Sequence, residues 1–160
     1  MSLRRWLSAV LIAWPVLAVA GSAPLTRDEV RAFMDHMATA ARARDIGTLA
    51  DLLAPGCSIV LDTELNGVHQ TTHLTRDQYV DLLEHGRNAL PELKSYNYQS
   101  QTLSVVITPD ATQATVTSAV IETVEYGDKR IVTASTEETT LARIDDAIRI
   151  IAVSAHTSGH

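Results

Sequence analysis

Cysteine, lysine, glycine-rich loops and long apolar runs are all scarce in this chain, and each scarcity excludes something. Cys57 is the only cysteine among 160 residues, so the chain has no internal disulfide. At the start of an apolar strand it reads as buried and inert, the alternative being a pairing between chains. Lys94 and Lys129 are the only lysines, and the arginines are scattered. Phosphate backbones call for clustered cations, so no nucleic-acid partner is expected. There is no glycine loop of the phosphate-binding kind and no Ser-His-Asp order with a nucleophile elbow. No cofactor is implied.

One long apolar run does occur, Trp6 to Val19, behind the basic pair Arg4-Arg5 and ending in Ala18-Val19-Ala20. It is short for a membrane span and closes on small residues at cleavage spacing. Residues 1–20 therefore read as a secretory signal peptide, which implies a periplasmic or secreted protein. No cysteine lies near the cleavage site, which argues against a lipid anchor, and no membrane association is expected once the signal is removed. Loss of Arg4 and Arg5 lowers the basic count from 13 to 11 against 19 acids, moving the formal net charge from −6 to −8. Residues 21–160, ordinary in composition at 46% hydrophobic and 20% charged, are expected to form a single domain.

The pattern turns helical at Thr26-Arg27-Asp28-Glu29, a capping box in which side chains satisfy the free donors of a helix start. Val30, Phe33, Met34, Met37 and Ala41 then mark one apolar face. Asp45-Ile46-Gly47 breaks the run, and Leu49, Leu52 and Leu53 form a second short helix that Pro55 stops. Cys57 to Leu65 reads as a strand, Asn66-Gly67 as a hairpin turn and Val68 to Leu74 as the returning strand. Thr75-Arg76-Asp77-Gln78 is a second capping box, opening a helix with Tyr79, Leu82 and Leu83 on one face and ending before Pro91. Four strands follow between Ser95 and Thr157, with tight turns at Gly127-Asp128 and Asp145-Asp146. The fold class is α+β: a curved, mostly antiparallel sheet wrapped around three N-terminal helices in the order α-α-β-β-α-β-β-β-β.

A two-residue turn fixes strand register. The turn at Gly127-Asp128 pairs Tyr126 with Lys129, Val124 with Ile131, Glu122 with Thr133, Val120 with Ser135, Ser118 with Glu137 and Val116 with Thr139. On the other face Glu125 meets Arg130 as a cross-strand ion pair. The turn at Asp145-Asp146 predicts Leu141 opposite Ile150, Glu137 opposite Ser154 and Ser135 opposite His156. One face then gathers aliphatic residues around a polar island of Ser118, Glu137, Ser154, Ser135 and His156, with Glu122 nearby. The opposite face is Thr- and Ala-rich, with Ile121, Val132, Ile151 and Val153 in its middle, and suits a homodimer contact. A carboxylate among Val and Ile must be hydrogen-bonded, paired or protonated. Glu137 is thus either a pocket acid of raised pKa with His156 as proton partner, or a group solvated at the sheet's end or satisfied by Ser118 and Ser154. A one-residue bulge would exchange Glu137 for Glu138.

The element order, with ARARDIGTLADLLAPGCSIV near the front and TLARIDDAIRIIAVSAHT near the end, resembles the nuclear transport factor 2-like superfamily over nearly all of residues 21–160. Its members include SnoaL-like polyketide cyclases, ketosteroid isomerases, scytalone dehydratase and many non-catalytic binding domains. The resemblance implies a cone with a pocket between sheet and helices, and dimers formed through the outer sheet face. Ketosteroid isomerase uses an Asp base with an oxyanion hole made by a Tyr and a protonated Asp. By resemblance the sheet acid falls on Glu137, but the tyrosine position falls on Met37 and the base position on Leu61. Asp62, one residue on, points to the opposite face of a regular strand. The isomerase mechanism is therefore not expected.

Three functions remain open. The expected one is binding of a small apolar ligand without catalysis, using Glu137, Glu122, Ser118, Ser154, Ser135, His156, Met37 and Leu61. The second is cofactor-independent acid-base catalysis of isomerase, dehydratase or cyclase type, with Glu137, His156 or Asp62 as candidate catalytic groups. The third is a protein-binding role, as an immunity-type partner of a secreted effector. His69 and His73, four apart on a strand, do not converge as metal ligands, and no metal site is expected.

Overall fold

The computed structural model describes residues 23–65, 67–89 and 93–159, so the expected signal peptide lies outside the described residues. Local hydrogen bonds set the helix starts. Thr26 caps α1 (Arg27–Ala43): its hydroxyl accepts from the Glu29 N–H, and the Glu29 carboxylate accepts from the Thr26 N–H at 3.0 Å. Asp45 caps α2 (Ile46–Leu52), accepting from the Thr48 N–H at 3.0 Å. Thr75 and Gln78 form the second capping box and open α3 (Arg76–Asn88).

The strands are β1 (Leu53–Leu65), β2 (Val68–Thr75), β3 (Leu93–Ile107), β4 (Gln113–Tyr126), β5 (Lys129–Ile144) and β6 (Ala147–Gly159). They form one curved sheet in the order β2-β1-β6-β5-β4-β3, parallel only where β1 meets β6. β1 begins earlier than the sequence suggests and runs through Pro55-Gly56. The proline is tolerated there because the ladder with β6 is interrupted between Leu53 and Ser58, where its missing N–H removes no bond.

The three helices pack on the inner face of this sheet. Ile59, Val116, Leu141 and Val30 are fully buried, joined by Leu25, Met34, Leu53, Cys57 and Ile150. Cys57 is therefore a core residue. Each large aliphatic side chain buried in this way contributes about 1.5–3 kcal/mol. Arg143 on β5 ties the start of α1 to the sheet, donating to the Ala23 carbonyl at 2.9 Å and to Glu29 Oε1 at 2.8 Å. Along β4 the inward residues grade from buried Ala114, Val116, Ser118 and Val120 to half-buried Glu122 and Val124. The cone is closed at the first end and open at the second.

The β4–β5 register is the one that the Gly127-Asp128 turn dictates, from Tyr126 opposite Lys129 to Ser118 opposite Glu137, without interruption. Glu125 and Arg130 pair across it at 3.7 Å. Glu137, not Glu138, shares the inner face.

The β5–β6 register departs from the expectation beyond Leu141. Leu141 faces Ile150, but Thr140 faces Ala152, so Ile151 is an extra residue and the pairing slips by one. Glu137 consequently lies opposite Ala155 rather than Ser154, and Ser135 opposite Thr157 rather than His156. Ser154 and His156 turn outward, while Val153, expected on the outer face, packs against the core and Ala155 is buried. Burial gives the reason: the slip places valine and alanine inside where a regular ladder would bury a serine and an imidazole.

Candidate functional site

Strand alternation places Tyr96 and Tyr98, two apart on β3, on the inner face, with Tyr98 opposite Glu122 and Tyr96 opposite Val124. α3 brings Tyr79, Leu82, Leu83, Gly86 and Arg87 across from them. The C-terminal half of α1 adds Met37 and Ala41, and α2 adds Ile46 and Leu49. Together with Arg44, Glu122, Val124 and Glu137 these residues line a cavity of about 350 Å³. That is near the lower end for small-molecule sites, which run roughly 300–1,000 Å³.

The polar groups in this cavity are few and specifically arranged. The Tyr96 hydroxyl donates to Glu122 Oε1 at 2.6 Å. Glu137 accepts a hydrogen bond from the Ser135 hydroxyl at 3.3 Å and has no ion-pair partner among the described residues. Burial pushes its pKa above the ordinary glutamate value; the Ser135 bond opposes this and the neighbouring Glu122 charge adds to it. Ser118, only 2% exposed and directly across the ladder, has a buried hydroxyl with no partner. Burial also raises the pKa of Tyr79, Tyr96 and Tyr98, with Glu122 contributing at all three through its charge and at Tyr96 first through the hydrogen bond. All three phenols therefore keep their protons at neutral pH and can donate them in hydrogen bonds. Arg44, at the left-handed C-cap of α1 with φ 53°, lays its guanidinium over the Tyr96 ring at 5.5 Å from the centroid.

Such a cavity can hold an apolar body while presenting phenolic donors to an oxygen. It also holds a half-buried carboxyl whose affinity for a proton is increased, which suits a group that gives or takes a proton. Among the described residues no three His, Cys, Asp or Glu side chains converge as metal ligands would.

Of the residues singled out from sequence, Met37, Glu122 and Glu137 line the cavity, Ser135 bonds to Glu137 and Ser118 sits behind it. Leu61 faces inward but lines a second, more open hollow with Thr72, Leu74, Gln78 and His85. Asp62, His156 and Ser154 are on the outer face. There His156 Nδ1 lies 3.0 Å from Asp62 Oδ2, His69 Nε2 lies 2.5 Å from Oδ1, and Thr71 donates to Oδ1 at 3.1 Å. The His156 bond is the largest of the effects that lower the Asp62 pKa. His156 therefore cannot be a proton partner of Glu137.

Sequence reasoning did not assign Tyr79, Tyr96, Tyr98, Arg44 or Arg87 to the site. The Tyr-Asn-Tyr alternation at the start of β3 was the available signal, since period two puts both rings on one face. The chain has four tyrosines, and three of them meet in this cavity.

Comparison with known proteins follows the fold. Residues 23–154 match the family of SnoaL-like domains. No curated protein matches the sequence. Among solved structures, a conserved protein from Planctomyces limnophilus is 12% identical over 83% of this chain and 98% of its own, with a TM-score of 0.66. A ketosteroid isomerase-like protein from Erwinia carotovora atroseptica is 14% identical over 80% of this chain and 92% of its own, with a TM-score of 0.60. A hexachlorocyclohexane dehydrochlorinase from Novosphingobium barchaimii is 14% identical over 82% and 88%, with a TM-score of 0.57. At these identities the likeness is one of fold.

Proposed function

The chain belongs to the SnoaL-like domain family of the nuclear transport factor 2-like superfamily, and from that premise we propose that its cone binds a small, largely apolar molecule bearing a carbonyl or hydroxyl oxygen. The observation that carries this reading is the cavity itself. Its walls are aliphatic and aromatic, and its few polar groups, Glu137, Glu122, the three tyrosines, Arg44 and Arg87, line one space. Native mass spectrometry of the purified protein tests it: a saturable small-molecule adduct is expected, and it should be lost when Leu83→Trp fills the cavity. A chain with no adduct from any panel of apolar oxygen-bearing compounds would overturn the reading.

A second reading, cofactor-independent acid-base turnover of the bound molecule, is favoured by one observation. Glu137 is a half-buried carboxyl of raised pKa that forms no ion pair among the described residues, beside phenols that could polarise a carbonyl. This reading requires Glu137→Gln to abolish turnover while the fold stays intact; full activity in that variant would remove it.

The first 20 residues support export to the periplasm or the medium, which cell fractionation of the full chain would test. The outer sheet face supports a homodimer, with Ile121 and Val132 about half exposed in its middle at 47% and 41%. Capture of one effector protein by an empty cone would favour the immunity-type role instead.

A further inference from the structure

The cavity's sheet wall and helix wall differ in charge. The carboxyls of Glu122 and Glu137 sit on the sheet wall. Two guanidinium groups, Arg44 and Arg87, line the same cavity from the helix side at its open end. Arg44 and Arg87 form no ion pair among the described residues, a property shared with Arg27, Arg42 and Arg149, but of these arginines only Arg44 and Arg87 line the cavity.

Each arginine has to be weighed against a plain structural role. Arg87 stands in the last turn of α3, where the helix dipole favours any cation, so its charge alone requires no ligand. Arg44 is different. It occupies the left-handed C-cap of α1, a position at which glycine is preferred, and a side chain there is strained. Its guanidinium is stacked on Tyr96, whose own hydroxyl is fixed by Glu122. This cation–π contact engages none of the guanidinium N–H groups in a hydrogen bond, and among the described residues they have no acceptor, so they are available to a planar or tetrahedral oxyanion.

We infer that the ligand is an amphipathic organic anion, whose apolar body fills the cone and whose carboxylate, sulfonate or similar group is held at the mouth by Arg44 and Arg87. This rests on the cone being a ligand pocket and adds the chemical class of what it takes. The deep carboxyl and phenols then meet an oxygen at the far end of the molecule. The two guanidiniums set its orientation, anion outward.

The test uses two probes that share an aromatic body, neutral N-phenylnaphthylamine and its anionic counterpart anilinonaphthalene sulfonate, titrated by fluorescence into the protein. Both should bind, the sulfonate about tenfold more tightly, as expected for one or two charge-assisted hydrogen bonds. Arg44→Gly, which suits the left-handed backbone, and Arg87→Gln should each lower the ratio of sulfonate to neutral-probe affinity, and together bring it to about one, whatever either change does to the two affinities in common. The advantage should also shrink as salt is added. Equal affinities in the parent protein, or a sulfonate preference that survives both substitutions, would overturn the inference while leaving the pocket reading standing. Failure of both probes to bind saturably would overturn the inference and the pocket reading together.

Discussion

Changing Tyr96 to phenylalanine removes one oxygen atom and leaves in place the ring on which Arg44 rests. The bond lost is the 2.6 Å contact to Glu122 Oε1, between two half-buried residues. A hydrogen bond to a charged group is worth roughly 1.5–3 kcal/mol net, and partial solvent access places this one at the lower end, about 1.5 kcal/mol. With a urea m-value of roughly 1–3 kcal/mol/M, that loss moves the unfolding midpoint down by about 0.5–1.5 M. A double-mutant cycle isolates the pair: wild type, Tyr96→Phe, Glu122→Ala and the double variant are unfolded in urea at neutral pH. The coupling should be about 1–1.5 kcal/mol. A coupling below about 0.5 kcal/mol would refute the claim that this phenol and carboxyl are locked together at the pocket wall. Tyr96 would then be free to swing, and the shape assigned to the cavity mouth would not hold.

Other outcomes follow from the same structure. Leu141→Ala, at a fully buried position, should destabilise by about 2–5 kcal/mol in the same assay, and a loss under about 1 kcal/mol would contradict the packed closed end. Glu137 has a raised pKa in the folded state, so its ionisation opposes folding above that pKa and the penalty disappears below the ordinary glutamate range. Glu137→Gln should therefore be more stable than wild type at neutral pH, with the gap closing as pH falls; a variant less stable at neutral pH would refute this. Glu29 shows the opposite sign. Its hydrogen bond from Arg143, together with those from Thr26, lowers its pKa to about 2. Its contribution is present above the ordinary glutamate range and lost as pH falls towards that value. The stability difference between wild type and Glu29→Gln should vanish in strong acid, and a pH-independent difference would count against the tether.

What could be read from the sequence was what depends on neighbouring residues. Both capping boxes are four-residue patterns, and the Gly127-Asp128 turn carries the β4–β5 register outward one pair at a time, which is why Glu137 could be placed on the inner face. The β6 bulge could not be read, because turn arithmetic has no term for the burial of Val153 and Ala155 against distant elements. Its consequence was large: one extra residue moved Ser154 and His156 from the pocket to the outside. The Asp62–His156 contact joins residues 94 apart through the parallel β1–β6 pairing, which no local pattern announces. The tyrosines were hidden for a related reason. Tyr79 on α3 reads as an ordinary packing residue until the helix is laid across β3, and Arg44 is visible only once α1 ends in a left-handed turn.

The central claim is that a ligand enters the cone between α3 and the β3–β5 wall, and the tyrosines can report on it directly. Tyr79, Tyr96 and Tyr98 line the cavity, while Tyr126, near the β4–β5 turn, does not. With isotope-labelled tyrosine rings, addition of N-phenylnaphthylamine should shift the NMR signals of the first three together, saturably, and leave Tyr126 in place. Shifts confined to Tyr126, or none at saturating probe, would contradict the account.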